Sequence, residues 1–286
     1  MNIAVLMTCH NRRETTARCL GSLVRAIQNC EKLRWELFVV DDGSTDGTGE
    51  ALREYAEKVK VEGAIEQSEI AEGLREQWSK IHLIRGNGDL FWAKGMALAW
   101  REALKYEGRL RSSTSTFNFN SFLWLNDDVV LKPDALAKML DAVRTGRSPV
   151  PTVIVGELEN AQGEIVYGKR GDLFTGNFVC VPRSVYEKVG LICGDYHHAW
   201  ADSDYAMRCK RMGVRVESCG VVGQCEGHPN RPSLAGMSLD ERWHSLFDPK
   251  GWCVHDLWLY RKRNWGFCAA LVSSLHLIFH VLKGER

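Results

Sequence analysis

Three short acidic clusters stand out, each following an apolar run or opening a helical pattern: Asp41-Asp42, Asn126-Asp127-Asp128 and Asp202-Ser203-Asp204. One such pair alone reads as a turn former or a helix cap. Three of them at element ends make a different case, because adjacent carboxylates repel one another unless a cation offsets them. A hard divalent ion, Mg2+ or Mn2+, suits that role, since it takes one or two carboxylates together with the oxygens of a substrate phosphate. A second region is Asn87–Met96. Gly86 and Gly88 let the backbone approach a ligand closely, while Asp89 and Trp92 are side chains suited to holding one by hydrogen bonding and stacking. The plainer reading there is a strand-to-helix turn with Phe91 and Trp92 in the core. His197-His198 has the look of a metal pair, but neighbours diverge along an extended chain, and the two are read as acceptor-side or structural.

The elements that position these residues follow from the apolar pattern. Ile3–Met7, Leu37–Val40, Ile81–Ile84 and Phe122–Leu125 are short buried-type strands. Helical spacing through Leu20, Leu23, Val24 and Ile27, and again from Ala93 to Tyr106, lies between them. Such alternation predicts a mostly parallel sheet covered on both faces, with ligands beyond the carboxyl ends of its strands. Asp46 or Thr45 is suited to cap the helix after the second strand. After Pro149 the runs shorten, and the second half reads as a mixed-sheet extension that completes a cleft. Val61–Ser79, rich in glutamate, reads as a surface helix extension, and Ser112–Asn120 as a peripheral polar loop.

The 286 residues carry 37 Lys+Arg against 36 Asp+Glu, a formal charge of +1. That balance gives no electrostatic support for nucleic acid as a partner. The ten cysteines are scattered, with no CxxC pair, so a structural zinc site is disfavoured. Several sit in apolar runs, as small hydrophobes do. Met1 leads almost directly into a strand, so no signal peptide is read, and a reducing, cytoplasmic setting is expected.

Taken in order, Met7-Thr8-Cys9-His10-Asn11-Arg12, Val39-Val40-Asp41-Asp42-Gly43-Ser44, Gly86 to Met96, Trp124-Leu125-Asn126-Asp127-Asp128 and Trp200-Ala201-Asp202-Ser203-Asp204 resemble the family 2 glycosyltransferases over roughly residues 1–230. Four motifs in this order are far more specific than any one of them. The resemblance implies the GT-A fold, a Rossmann-like α/β nucleotide-diphospho-sugar transferase architecture with a mostly parallel central sheet. It divides the chain into a catalytic domain at 1–240, with a nucleotide-sugar half to about 130 and an acceptor half beyond, and a helical C-terminal extension at 241–286. It places Thr8, His10, Asp41 and Asp42 at the nucleotide, where many members have Tyr at the His10 position. It makes Asp128 a direct ligand of a divalent metal (Mn2+ or Mg2+) and Asp127 a sugar or ribose contact. His228, in a Gly/Pro loop, falls where such enzymes complete the metal shell, and Arg231 is suited to a phosphate. Asp202 becomes the general base, with Asp204 as fallback and Ala201 standing where the pattern has Glu. The other reading of Asp202 is the N-cap of a helix starting at Ser203.

The implied reaction is inverting transfer of a sugar from a UDP- or dTDP-linked donor to a glycan or lipid-linked acceptor. The Leu-Phe-Trp-Ala and Leu-Asn-Asp-Asp variants look rhamnosyltransferase-like, in bacterial surface polysaccharide or lipopolysaccharide assembly. A sugar-nucleotide pyrophosphorylase would want a Gly-rich basic loop where Thr8-Cys9-His10-Asn11 stands. A degenerate, non-catalytic nucleotide-sugar binder is the alternative, with Ala201 as its support. Near the C-terminus, Arg261-Lys262-Arg263 precedes an apolar stretch, Trp265–Leu282, whose projection sets Phe267, Leu271, Leu275, Ile278 and Leu282 on one side. Basic flanks and Trp265 suit a helix lying in a membrane surface, at the inner face of the cell membrane. The other reading packs it on the catalytic domain or on a second copy in a homo-oligomer.

Overall fold

The computed structural model describes residues 1–30, 33–67, 80–112, 117–145, 149–225 and 233–284. The four expected strands form one parallel block: β1 (Asn2–Cys9), β2 (Arg34–Asp41), β3 (Lys80–Arg85) and β4 (Ser121–Leu125), in the order β3-β2-β1-β4. Successive side chains on a strand point to opposite faces, and here both faces are covered. Ala4, Leu6, Phe38, Val40, Phe122 and Trp124 enter one core, under α3 (Phe91–Ser112). Ile3, Val5, Met7, Leu37, Val39, Leu123 and Leu125 enter the other, under α1 (Arg13–Gln28). This is why the strands read as unbroken apolar runs rather than as alternation.

Beyond β4 the sheet becomes mixed. β10 (Phe178–Pro182) runs antiparallel to both β4 and β6 (Thr152–Glu159). β6 pairs in parallel with β11 (Arg215–Gln224), which meets the two-residue β5 (Val130–Leu131) antiparallel. A short β7 (Ile165–Tyr167) pairs with β6, and β8 (Lys169–Arg170) with β9 (Leu173–Phe174) makes a small separate hairpin. Helices α2 (Thr48–Gln67), α4 (Ala135–Thr145), α5 (Arg183–Val189) and α6 (Ala201–Arg211) complete the layers. Register brings the strand ends to one rim: Cys9 faces Asp41, Asp41 faces Arg85, and β4 stops just past the Leu6–Trp124 pair.

Two expectations are corrected. The described end of the Ser112–Asn120 loop is not peripheral: Phe117 and Phe119 are buried against Phe38 and Tyr106, and the Phe119 N–H donates to buried Glu107 at 2.9 Å. Phenylalanines two apart on an extended chain share a face, which outweighs the polar composition around them. The C-terminal apolar stretch is helical, as expected, but the residues projected onto one side of it divide between solvent and a small core. Gly266, at φ +88°, separates α8 (Val254–Trp265) from α9 (Phe267–Lys283). Together with α7 (Leu239–Ser245), α9 closes a third small core of Leu234, Leu246, Leu257, Leu277 and Val281. Ile278 and Leu282 turn toward that core, while Phe267, Leu271, Val272, Leu275 and Phe279 face outward. All ten cysteines are free thiols.

Candidate active site

The rim begins with two turns stapled together by short polar side chains. Asn11 sits at φ +50°, a conformation Asn tolerates better than most residues. Its N–H donates to Ser44 Oγ at 2.9 Å, and its Oδ1 accepts from the Thr45 N–H at 2.7 Å. Asp46 accepts from the Arg13 N–H and from Thr48, and Asp41 Oδ1 from the Ser44 N–H at 3.1 Å. Both ring nitrogens of His10 are engaged: Nδ1–H donates to the Asp42 carbonyl at 2.6 Å, leaving Nε2 to accept from the Asn11 amide at 3.1 Å. Thr8, on the last turn-ward part of β1, packs beneath Gly95 of α3, where any Cβ would strike its hydroxyl.

Asp42 has a structural task that sequence reasoning did not find. Its buried carboxylate accepts the N–H groups of Gly88 (2.8 Å), Leu90 (2.9 Å) and Phe91 (3.0 Å), and so shapes the turn that opens α3. Gly86 must be glycine, because a Cβ there would lie 2.5 Å from Asp42 Oδ1. Asp89 is exposed on this turn, with its N–H held by Asn87.

The second acidic cluster leaves β4 directly. Asn126 is locked: its Oδ1 accepts from Trp92 Nε1 at 2.7 Å, and its N–H donates to the Asn177 carbonyl. Asp127 and Asp128 share one guanidinium, Arg12 Nη1 lying 3.2 Å from Asp127 Oδ1 and 2.9 Å from Asp128 Oδ2. Their other oxygens, Asp127 Oδ2 and Asp128 Oδ1, are buried with no hydrogen-bond partner. Orphaned, buried carboxylate oxygens at a strand end are the kind of donor that a divalent cation takes, so the residues present fit such an ion. Burial, with the neighbouring Asp128 charge working against Arg12, pushes the Asp127 carboxyl up to about 7. Arg12 is thus a site residue to which the motif alone assigned no role. His228 and Arg231 lie outside the described residues. The last described residue before them, Cys225, has its thiol beside Asp128, and burial and that carboxylate push it up to about 12.

The third cluster opens α6. The N-cap is Trp200, at φ +70°, so Asp202 lies inside the first turn and is not the cap. Asp202 accepts from the Ser203 N–H at 2.7 Å and the Gly176 N–H at 3.1 Å. Burial raises its carboxyl above the ordinary value, with those two N–H groups pulling the other way. Asp204 is spent: fully buried, it pairs with Arg208 and Arg263 at 3.2 Å each. Trp92 joins the clusters, since its indole bonds Asn126 and its ring edge fills the space at Gly176, beside Asp202. His197 turns from the site to Asp256, a residue of α8 that no sequence signal had marked.

A mostly parallel α/β block carrying acidic turns at its strand ends, continued by a mixed sheet, is the GT-A glycosyltransferase architecture. Comparison agrees: the family model described as Glycosyl transferase family 2 matches residues 4–63. Among solved structures, the mannosyltransferase PcManGT from Pyrobaculum calidifontis, in complex with GDP-Man and Mn2+, is similar at 17% identity and TM-score 0.54, over 96% of this chain and 74% of that one. S. aureus TarS is similar at 13% identity and TM-score 0.56, over 100% of this chain and 55% of that one. TarS 1–349 in complex with UDP aligns at 12% identity and TM-score 0.55, over 99% and 90%. No curated protein matches the sequence.

Proposed function

We propose that this chain is an inverting glycosyltransferase that moves a sugar from a UDP- or dTDP-linked donor to a hydroxyl of a glycan or lipid-linked acceptor. The observation that carries the reading is the pair of buried, orphaned oxygens on Asp127 and Asp128, set across Trp92 from a separately held carboxylate, Asp202. The family match at 4–63 and the shared fold support it.

Asp127 and Asp128 would hold a divalent cation, Mn2+ or Mg2+, which as a Lewis acid stabilises the departing diphosphate. Asp202 takes the proton of the acceptor hydroxyl as its oxygen attacks the anomeric carbon. The C–O bond to the diphosphate breaks on the opposite face, so the configuration inverts in one displacement. A carboxylate whose proton affinity is raised by burial, with two N–H groups pulling the other way, is suited to that task. Asp204, neutralised by two guanidinium groups, is a poor competitor for the role. Thr8, His10, Asp41 and Asp42 would bound the nucleoside side and Asp89 the sugar side, with His228 completing the metal shell. The rhamnosyl subtype and a place in bacterial surface-polysaccharide synthesis belong to the same reading.

We place the protein at the cytoplasmic face of a membrane through α9. Its outward residues Phe267, Leu271, Val272, Leu275 and Phe279 are all exposed; basic Lys283 ends it, and Arg261 and Lys262 lie in the last turns of α8 just before it. No acidic residue occurs between Asp256 and Glu285. Among the described residues no helix is long and apolar enough to cross a membrane. An apolar stripe with basic ends suits adsorption to an anionic lipid surface.

The test is a donor panel of UDP-, dTDP- and GDP-sugars, dTDP-rhamnose included, with Mn2+ or Mg2+ and nucleoside diphosphate release as readout. Metal-dependent release from one donor, lost in Asp128→Ala and Asp202→Ala, is expected. Donor binding without release, even with acceptor extracts, would favour the non-catalytic binder. Neither binding nor release across the panel would overturn the reading.

A further inference from the structure

Two aromatic residues in this fold sit in the left-handed region, Phe91 at φ +52° and Trp200 at φ +70°. For a bulky side chain that conformation is strained and persists only where the surroundings over-determine it. Each stands at the start of a helix facing the site, α3 and α6. Phe91 is held by Asp42, through three backbone N–H groups of its turn. Trp200 has a counterpart, and it comes from the C-terminal helices. Asp256, fully buried on α8, accepts the N–H groups of His197, His198 (3.0 Å) and Ala199 (3.2 Å), the three residues before Trp200. It also accepts Nδ1–H of His197 at 2.9 Å and of His255 at 3.0 Å.

The same face of α8 continues the hold. Tyr260, one turn on, stacks on Trp200 with centroids 4.7 Å apart, and Arg263 reaches Asp204. Residues 256, 260 and 263 share a helix face, so a single stripe fixes the loop before Asp202, its strained N-cap and the buried acid after it. The two aromatic turns also touch, the Ala93 N–H donating to the His197 carbonyl at 3.0 Å. His197, His255 and Asp256 place ligand-type atoms within 4.8 Å of one another. With five donors already on one carboxylate, however, the cluster is an anchor rather than a metal site.

We infer that Asp256 is a positioning residue for the active site: from α8 it fixes the 197–200 loop and thereby the direction in which Asp202 faces. This rests on Asp202 being the base, but the hold itself can be read without any turnover. In Asp256→Asn one oxygen becomes a donor, which cannot accept the loop's N–H groups. Hydrogen–deuterium exchange of the variant should show lost protection at His197–Ala199, with the 88–91 turn protected as before. In the donor assay, kcat should fall about tenfold or more, as expected for a misdirected catalytic group. Mn2+ affinity and nucleoside-diphosphate affinity should stay within about twofold, since their residues lie on other elements. If Asp256→Asn does not fold, Tyr260→Leu, which removes the stack on Trp200, gives the same readouts, with Tyr260→Phe as the conservative rescue. Unchanged exchange at 197–199 would overturn the inference. So would local opening with full kcat, or a uniform fall in nucleotide affinity and kcat together. A wild-type chain without transferase activity would overturn the function while leaving the exchange result to judge the anchor.

Discussion

The Asp127-Asp128 pair in the metal-free protein is a local instability that the rest of the fold sustains. Two buried carboxylates share one guanidinium, and an oxygen on each lacks a partner. The consequence for pH follows from linkage. Burial pushes the Asp127 carboxyl up to about 7 in the folded chain, against about 3.9 unfolded. Between those values the folded form keeps a proton that the unfolded chain releases, so stability falls as pH rises across the window and levels off above it. Thermal melts of metal-free protein from pH 4.5 to 8 should show that decline. Asp127→Asn should flatten it and, at pH 8, gain on the order of 1 kcal/mol, or about 2–4 °C. The same substitution should weaken Mn2+ binding, because it removes one of the two orphaned oxygens. Wild-type protein should gain more from Mn2+ at pH 8 than at pH 5; equal gains at both would show that the Asp127 charge is not what the cation offsets.

At the scale of elements, β1 to β4 were legible because a strand covered on both faces must be apolar throughout, and such runs stand out between polar turns. The acidic clusters were legible because each ends an apolar run or opens a helix. What stayed hidden depended on contacts far apart in sequence. Arg12 reaches Asp127 and Asp128 across more than a hundred residues, with |i−j| of 115 and 116, and Asp256 reaches His197 across 59. Asp256 lies in a helix whose apolar spacing is ordinary, and only its burial marks it. In α9 the helix itself was legible from its apolar run, but which apolar residues face solvent was not, because Ile278 and Leu282 turn to a core built by α7 and α8. The exposed stripe that results makes its own prediction. Cosedimentation with vesicles containing anionic lipid should retain the wild-type chain, and Leu271→Asp with Leu275→Asp should release it, with donor turnover in detergent-free buffer unchanged. Raised salt should weaken the retention, because the basic ends contribute through screened charge. Equal retention of the charged variant would assign the stripe no part in lipid binding.

Across the whole molecule, the parallel block and the mixed block meet where β10 pairs with β4, and the site straddles that seam. Asp41, Asp42, Asp127 and Asp128 belong to the parallel side; Asp202 belongs to the other. Trp92 spans the seam, tied to Asn126 by its indole N–H and packed by its ring edge on Gly176, whose N–H in turn holds Asp202. A Cβ at position 176 would lie 2.5 Å from the Trp92 ring and 3.4 Å from Asp202 Cβ. The ring cannot yield cheaply, since its indole bond to Asn126 would be lost. Gly176→Ala should therefore move both acidic clusters at once, costing about 1–3 kcal/mol of stability by overpacking. Mn2+ affinity and kcat should fall together, unlike Asp256→Asn, which separates them. Trp92→Phe added to Gly176→Ala should recover part of the lost stability by making room, while leaving Asn126 Oδ1 without its indole donor and activity low. If Gly176→Ala changes neither Mn2+ affinity nor kcat, the two blocks carry their carboxylates independently, and Trp92 is a core residue rather than the link between them.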